Sequence, residues 1–362
     1  MHHFPTSYPQ ILERMHRIDP VRYAKTRNFI DGDITYLSPY ISRGVISLPQ
    51  VGDAVLAKGY KPYEVEKFLQ ELAWREFFQK VWWQMGDRMF ADIKQPQADV
   101  QHRRMIRSLA DAQTGIEAID EQIKGLYQTG YLHNHARMYI AGMACNLGRA
   151  HWQAPSEWMY YHLLDGDLAS NTCSWQWVAG SFSSKKYIAN QENINRYLHS
   201  NQRGTFLDCG YDTILDQDVP LAMQATTELQ LETPLPAVQQ LQLDDAKPLL
   251  LYNSYNLDPT WRQQDQANRV LVLEPEHFRQ HPVSGKVLNF ILALGQNIEG
   301  LQLWTGAVQD IPGIRQMKVY SRMHPVSAHY PGTKDPYPWM FPQVQGQFGS
   351  FFSFWKKAAR YL

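Results

Sequence analysis

Cysteine is scarce in this sequence of 362 residues, and its spacing excludes several common kinds of site. The three cysteines, Cys145, Cys173 and Cys209, form no C-x-x-C pair. Their odd number and wide separation disfavour a disulfide scaffold, a four-cysteine zinc site and a four-cysteine iron–sulfur cluster. The sequence therefore predicts no metal centre and a reducing environment.

Long apolar runs and an excess of charge of either sign are also lacking. No apolar stretch approaches the roughly 20 residues that a membrane helix needs, and the N-terminal sequence MHHFPTSYPQ has no signal pattern. The 35 basic residues balance 35 acidic ones, which excludes a coat of positive charge but leaves room for a local basic groove. We therefore expect a soluble, cytoplasmic protein with no membrane contact.

The common catalytic and nucleotide-binding fingerprints are absent as well. G-x-G-x-x-G, G-x-x-x-x-G-K-[ST], G-x-S-x-G and H-E-x-x-H do not occur. Aromatic residues, in contrast, are abundant, with 11 Trp and 20 Tyr. Such a surplus either thickens a hydrophobic core or lines a ligand cavity, and composition alone does not separate the two.

Hydrophobic periodicity predicts a mainly α protein in which a helical domain is followed by a small α/β unit. Residues 1–210 form the helical domain, with helical spacing of apolar positions over 64–86, 115–128, 133–152 and 155–164. Gly, Pro and Asp turns separate these stretches, and strand-like alternation is scarce among them.

The second part of the chain divides into three further segments. Residues 211–245, rich in Gln, Thr, Pro and acids, are predicted to form a linker or an extended wrap. In 246–330, strand patterns at PLLLYNSYN, RVLVLEP, LQLWTG and MKVYSRMHP surround a helix pattern at VSGKVLNFILALGQ, which predicts parallel strands. Residues 331–362 are a tail that ends in a short amphipathic helix, expected to dock onto the body.

The first two ligand-site candidates lie early in the helical domain. Ser38 followed by proline fits a helix N-cap, and with Thr35 it would suit a phosphate, although an ordinary capped helix has the same pattern. Further on, Glu71, Trp74 and Arg75 share one helical stripe. They suit a cavity that stacks a flat ligand, and the alternative is an acid–guanidinium pair on a solvated face.

The third candidate is a stripe of Asn134, Arg137 and Met138, with Trp152 two heptads beyond Met138. Flanking histidines make only a weak metal signal, because they cannot share the face of Asn134. Amides, cations and aromatics in this pattern bind an aromatic cofactor better than they support nucleophilic hydrolysis.

The fourth candidate begins at Asp165 and Asp167, which bracket a glycine turn. Asp167 is expected to cap a helix that carries Asn171 and Trp175, which are neighbours at i and i+4. Two nearby acids could also bind a cation or do acid–base work, but no further oxygen ligands are spaced for calcium.

Taken together and in this order, the four candidates resemble the helical FAD-binding domain of the DNA photolyase/cryptochrome family. The resemblance runs from about Tyr23 to Asn195, and its most specific segments are TGIEAIDEQIKGLYQTGYLHNHARM and LLDGDLASNTCSWQWVAG. It implies FAD held in a helical bundle. The family's usual N-terminal α/β antenna domain has no counterpart ahead of this region, and we interpret the unit after Lys247 as a relocated, shortened one.

The resemblance also implies which residues hold the cofactor. Those residues are Tyr23, Thr35, Leu37, Ser38, Arg75, Arg137, Asp165, Asp167 and Asn171. Arg137 and Asp165 correspond to an ion pair beside the isoalloxazine ring, and Asn171 to the position that faces flavin N5. An amide there tolerates a negatively charged reduced flavin, whereas a carboxylate would repel it.

On the substrate side, the resemblance favours photolyases that act on cyclobutane pyrimidine dimers. The matching residues are Glu71, Trp74, Asn134, Met138 and Trp177. Catalysis is assigned to Glu71, Asn134 and Met138, and Trp175 and Trp152 resemble the first two members of an electron relay. The implied function is light-dependent DNA repair by a deoxyribodipyrimidine photolyase-like lyase. The alternative is a cryptochrome-like blue-light sensor without repair activity.

The expected partner is DNA that contains pyrimidine dimers, and no protein partner can be named. Tyr36 and His135 stand where the family pattern has arginine, which weakens the attraction for phosphates. We therefore expect a preference for single-stranded or locally open DNA, in which extruding a dimer costs less.

Overall fold

The computed structural model describes residues 4–362. Its helices are α1 (Tyr8–His16), α2 (Pro20–Thr26), α3 (Ser38–Ser42), α4 (Leu48–Leu56), α5 (Glu66–Met85), α6 (Arg107–Ala110), α7 (Glu117–Thr129), α8 (Asn134–Gly142), α9 (Gln153–His162), α10 (Leu168–Ala179), α11 (Gln191–Leu198), α12 (Leu221–Gln224), α13 (Pro275–Gln280), α14 (Gly285–Gly295) and α15 (Phe351–Ala358). Its strands are β1 (Met105–Ile106), β2 (Thr226–Thr227), β3 (Leu249–Tyr252), β4 (Asn268–Leu273), β5 (Leu301–Thr305), β6 (Val319–Arg322) and β7 (Thr333–Asp335).

These elements form two compact units whose segments alternate along the chain. The helical unit comprises Val21–Ile34 and Met85–Leu231, and the sheet unit comprises Phe4–Pro20, Thr35–Gln84 and Glu232–Leu362. The region predicted as a helical domain therefore contributes residues to both units. Among residues 4–362, no helix combines the length and the apolar character that crossing a bilayer requires.

The helical unit is built on the apolar faces of α7 to α10. In α7 the buried positions Ile119, Ile123 and Leu126 repeat at helical spacing and face the core. In α10 the fully buried Gln176 donates to the carbonyls of Met89 and Ala91 at 2.9 and 3.0 Å. Because this amide is satisfied by backbone groups, it fixes the chain after α5 against α10.

The helix predicted over 133–152 ends earlier than expected. After α8 the chain makes one π turn over Met143–Leu147 and then leaves the helix at Gly148. Arg149 follows with φ +55°, a left-handed conformation that a continuing right-handed helix does not contain. The prediction that Trp152 continues the stripe of Met138 is therefore wrong, since Trp152 precedes α9 instead.

The sheet of the sheet unit contains the four predicted strands and a fifth. The strand order is β5-β4-β3-β6-β7, and every neighbouring pair is parallel. All four residues of the central strand Leu249–Tyr252 are buried, as expected when both faces of a parallel sheet are covered. The predicted helix lies at Gly285–Gly295, capped by Ser284, whose hydroxyl accepts from the Val287 N–H at 3.4 Å. The predicted fold class, mainly helical with a small parallel α/β unit, is confirmed.

Residues 232–245 run along the sheet unit through polar contacts. Gln242 and Gln302 exchange two hydrogen bonds of 2.6 and 2.7 Å, and the Asp244 N–H donates to Asn268 at 2.9 Å. Earlier in the same sequence segment, the short strand Thr226–Thr227 pairs antiparallel with β1 in the helical unit. Leu241 and Leu243 also pack against the apolar core at the sheet, so polar and apolar contacts together order residues 232–245.

The tail of the chain ends in the amphipathic helix that its sequence indicates. Ser350 and Ser353 form a capping box, and the buried positions Phe351, Phe354 and Trp355 follow helical spacing. The Trp355 indole N–H donates to Glu66 of α5 at 3.2 Å. The apolar face of α15 is therefore used to pack against the sheet unit.

Two glycines of the sheet unit have a left-handed backbone, but only one of them is also crowded by neighbouring atoms. Gly332 has φ +84°, and a Cβ there would lie 2.2 Å from the Val319 carbonyl oxygen, whereas Gly300 has φ +70° and open space around it. We expect Gly300→Ala to cost about 1 kcal/mol of unfolding free energy and Gly332→Ala about 3 kcal/mol. Urea denaturation measures both, and equal losses would contradict the clash at β6.

Candidate functional site

A buried ion pair joins α8 to the loop before α10. The Arg137 Nη2 atom donates to both carboxylate oxygens of Asp165, at 2.8 and 3.0 Å. The Asp165 side chain is 4% exposed and that of Arg137 23%. Arg137 also donates from Nε to the Leu132 carbonyl at 2.8 Å, so the guanidinium is fixed at two places. The structure thus brings together the two residues predicted as a pair.

The turn between α7 and α8 sets the position of this pair. Gly130 ends α7 with φ +73°, and its carbonyl accepts from the Leu164 N–H at 2.8 Å. A Cβ at Gly130 would stand 2.7 Å from Leu164 Cγ. Because only glycine fits this approach, the chain next to Asp165 lies directly against the end of α7.

His133 caps α8 as a neutral imidazole. Its Nδ1 accepts from the His135 N–H at 3.2 Å, and its Nε2 lies 3.1 Å from the Arg27 carbonyl oxygen, to which it donates. Burial lowers the pKa of His133 to about 4, which keeps the ring neutral at pH 7. Residues 4–362 contain no group of three or more His, Cys, Asp or Glu side chains placed to hold a metal ion.

Asp167 caps α10, as predicted, and orients the next turn of that helix. Its carboxylate accepts from the Ser170 N–H at 2.7 Å, and the residue is 3% exposed. One turn further, Asn171 Nδ2 donates to the Ser156 carbonyl of α9 at 3.0 Å. This hydrogen bond fixes the Asn171 amide nitrogen against α9.

Ser170, which the sequence did not single out, lies in the first turn of α10. Its hydroxyl oxygen is buried and has no hydrogen-bond partner within residues 4–362. A buried hydroxyl without a partner costs about 1–3 kcal/mol, so a polar ligand beside the first turn of α10 would relieve a real penalty. In the sequence, only its position between Asp167 and Asn171 could have indicated that Ser170 lies near the candidate site.

The remaining predicted residues of the helical unit differ in their exposure to solvent. Asn134 is exposed, with Nδ2 3.8 Å from Met138 Sδ, and Trp177 is 37% exposed. Trp152 and Trp175, in contrast, are each 2% exposed. The Trp152 indole N–H donates to Asp92 at 2.7 Å. Met138, also predicted to touch substrate, is half-buried and packs against the core of the helical unit.

The sheet unit holds the other part of the predicted set. Helix α3 begins at Ser38 and Leu37 is its N-cap, so the prediction that Ser38 caps the helix is wrong by one residue. The reason is that Leu37, at φ −93° and ψ −14°, already has a helical backbone conformation. The Thr35 hydroxyl accepts from the Leu37 N–H at 3.4 Å.

On α5, each of the three predicted residues has a partner within the sheet unit. Arg75 donates to the Ser42 hydroxyl at 2.6 Å, and Glu71 lies 3.5 Å from the Lys67 ammonium. The Trp74 ring stacks on Phe351 of α15, with centroids 3.8 Å apart and an angle of 11° between the planes. The last contact joins residues far apart in sequence, and nothing in the local pattern of α5 indicated it.

The predicted residues are thus divided between the two units. The helical unit contains Tyr23, Asn134, Arg137, Met138, Trp152, Asp165, Asp167, Asn171, Trp175 and Trp177, and the sheet unit contains Thr35, Leu37, Ser38, Glu71, Trp74 and Arg75.

Comparison with known protein families agrees with the geometry around α10. Residues 68–207 match the family model described as the FAD binding domain of DNA photolyase. This part of the chain is similar to the FAD-binding domain of the photolyase/cryptochrome family. FAD is the cofactor that defines the matched domain, so the cofactor predicted from the sequence is confirmed at the level of the family domain.

Several curated photolyases and a cryptochrome are similar to this chain. A deoxyribodipyrimidine photo-lyase of Thermus thermophilus is 32% identical over 44% of this chain and 38% of its own length. One from a Synechococcus species is 29% identical over 49% of this chain and 41% of its length. A cryptochrome DASH of Danio rerio is 28% identical over 53% of this chain and 37% of its own. The chain therefore spans about two-fifths of the length of these relatives.

Among solved structures, a cryptochrome of Synechocystis sp. PCC6803 is similar over 54% of this chain and 44% of its own, with 23% identity and a TM-score of 0.47.

The ion pair of the photolyase-like domain leads to a stability prediction. Arg137→Ala leaves the Asp165 carboxylate buried without its cation, and we expect it to lower the unfolding free energy by about 3–5 kcal/mol. Asp165→Asn should cost less, because the more exposed guanidinium is hydrated when it loses its partner. Urea denaturation measures the unfolding free energy of both variants.

The matched control is Arg279→Ala, which removes the exposed pair with Glu276 and should change the unfolding free energy little. Equal losses in Arg137→Ala and Arg279→Ala would contradict the assigned burial.

Proposed function

We propose that this protein binds FAD at α8 and α10 of its helical unit and splits cyclobutane pyrimidine dimers in DNA with light. The observation that carries the proposal is that Arg137, Asp165 and Asn171 are each fixed by neighbouring groups of the same unit. When bound, reduced FAD supplies the electron that, on illumination, opens the cyclobutane ring and is then returned.

The donor set around α10 fits an anionic flavin. The Arg137 guanidinium provides positive charge, while Asp165 holds its orientation from a buried position. Asn171 presents an acceptor, which suits a ring N–H and adds no negative charge. The Ser170 hydroxyl gains the partner that it lacks among residues 4–362.

The residues that bind the FAD phosphates are assigned by their chemical types. We assign Tyr23, Thr35, Leu37, Ser38 and Arg75 to it, because hydroxyls, backbone N–H groups and a guanidinium are the usual phosphate ligands. Asp167 is assigned to a ribose or ring-edge contact, since a carboxylate accepts hydrogen bonds from hydroxyl groups.

Exposed side chains support a substrate that consists of bases rather than a small polar molecule. Trp177 offers a flat ring to stack on a base, and Asn134 offers both a donor and an acceptor to a base edge. Met138 adds an adaptable apolar contact one turn away. We assign Glu71 and Trp74 of α5 to the same substrate, as a polar group that stabilises the reacting dimer and an aromatic wall.

A neutral His135 in α8 supports a preference for single-stranded or locally open DNA. His135 stands where the family pattern has arginine, and burial together with the nearby Arg27 lowers its pKa to about 4. A neutral ring does not attract phosphates, so the enzyme relies less on duplex backbone contacts.

Asn171→Asp tests the flavin assignment. A carboxylate at this position repels an anionic flavin, so we expect at least a tenfold lower yield of dimer splitting. The yield is measured on an oligonucleotide that contains one dimer, under reducing conditions and illumination. Ser174→Asp, which adds the same charge on the exposed side of α10, is the control.

Equal yields in Asn171→Asp and the wild type, or an equal loss in Ser174→Asp, would contradict this assignment. A wild-type protein that holds FAD and responds to light but splits no dimer would favour blue-light sensing instead.

Trp175→Phe tests the electron relay. We assign Trp175 and Trp152 to it, because buried indoles near the cofactor can pass an electron inward. Phenylalanine keeps the core filled but is much harder to oxidise, so photoreduction of bound FAD should slow at least tenfold. Trp261→Phe, at a buried indole of the sheet unit, is the control for loss of a Trp. Unchanged photoreduction in Trp175→Phe would rule out this route.

A further inference from the structure

The outward face of the C-terminal helix combines aromatic rings with positive charge. We call Phe352, Lys356, Lys357, Arg360 and Tyr361 the tail face. All five are exposed, with Phe352 at 68% and Tyr361 at 55%. Residues 336–362 contain no Asp or Glu, so this part of the chain has a local excess of positive charge in a protein of zero net charge.

The tail face is held in place by the opposite side of the same helix. Phe351 stacks on Trp74 of α5, and Phe354 lies 6.0 Å from Phe77 between ring centroids. Trp355 is hydrogen-bonded to Glu66. Because one side of α15 is buried in this way, the backbone that carries the cations and the Phe352 ring is held in place.

The exposed Phe352 ring continues an aromatic surface that begins at Trp74. The two rings meet edge to face, with centroids 6.4 Å apart and planes at 78°. Lys356 follows Phe352 by four residues within α15, a rise of about 6 Å, and Arg360 lies in the 3₁₀ turn Ala359–Tyr361 that follows the helix. An aromatic ring followed by cations along the helix suits a ligand that alternates flat bases with phosphates.

We propose that the tail face binds a single strand of DNA, with Phe352 stacked on a base and Lys356, Lys357 and Arg360 on the phosphates. The choice of DNA rests on the proposed function, since Trp74 is assigned to the substrate. Exposed aromatics bind unpaired bases without sequence preference, and cations track the backbone. The tail face thereby extends the binding site for the strand that carries the dimer.

A lipid surface is a poorer fit to the same face. Interfacial helices insert a continuous apolar stripe into the bilayer. In α15 that stripe, Phe351, Phe354, Trp355 and Ala358, is buried in the sheet unit. Only isolated rings remain outside, which is enough to stack on bases and too little to anchor a helix in lipid.

Binding of an undamaged, labelled oligothymidine single strand in the dark tests the tail face directly. Fluorescence anisotropy is recorded on the full-length protein over a series of salt concentrations. We expect Phe352→Ala to weaken binding about tenfold and Phe352→Trp to retain it, because stacking needs a ring. The double variant Lys356→Ala with Lys357→Ala should make the slope of log K against log salt concentration less negative by about 1.4. This corresponds to about 0.7 for each lost phosphate contact.

The matched control removes two exposed cations elsewhere in the sheet unit, Arg315→Ala with Lys318→Ala. If this control flattens the salt dependence as much as the tail variant, the proposal is wrong, because net charge alone would explain both. It is equally wrong if the wild type does not bind the strand, or if Phe352→Ala binds as well as the wild type. The protein could instead bind anionic phosphatidylglycerol vesicles through the tail cations and not bind the strand. That result would assign the tail face to lipid and overturn the proposal.

Thermal unfolding of the variants separates binding from helix stability, since cations near the C-terminus of α15 also interact with its dipole. A lower melting temperature with unchanged strand affinity would also contradict the proposal. The dark assay needs neither FAD chemistry nor a dimer. If the tail variants lose strand binding, the tail-face proposal is supported even when the protein splits no dimers. If the protein splits dimers but the tail variants bind the strand normally, the tail-face proposal is refuted and the proposed function is not.

Discussion

The bidentate pair between Arg137 and Asp165 is the contact on which the candidate site depends. A carboxylate that is almost fully buried is tolerated only with a cation beside it, and Arg137 supplies that cation from α8. The pair thereby fixes the distance between α8 and the loop that leads into α10. Gly130 makes the approach possible, because any side chain there would collide with Leu164.

Helix α10 organises the rest of the helical unit's site. Its N-terminus is fixed by Asp167, its first turn carries Asn171, and its middle is tied through Gln176 to the chain that follows α5. One short helix thus has a capped end, an amide in its first turn that is tied to α9, and a buried amide anchor. Such anchoring holds Asn171 in one orientation, as the proposed flavin contact requires.

In the sheet unit, α15 links the fold to the function that we propose. Its inner side completes the aromatic cluster around Trp74, and its outer side carries the cations and the exposed ring of Phe352. The same helix therefore stabilises α5 and offers a surface for a nucleic acid strand. In α5 itself, the buried Glu76 accepts from the Phe341 N–H at 3.0 Å, which attaches the chain ahead of the tail helix.

The sequence by itself determined the features that depend on neighbours along the chain. Four strands and the cap at Asp167 follow from buried apolar runs and local hydrogen bonding, and motif order identified the flavin domain. Only the tertiary structure decided features that depend on distant partners. These are the short edge strand β7, the end of the helix at Gly148, the Ser170 hydroxyl without a partner among residues 4–362, and the ring of Phe351 on Trp74. The physical reason is that burial and stacking are fixed by what packs from elsewhere in the chain, and no local pattern encodes that partner.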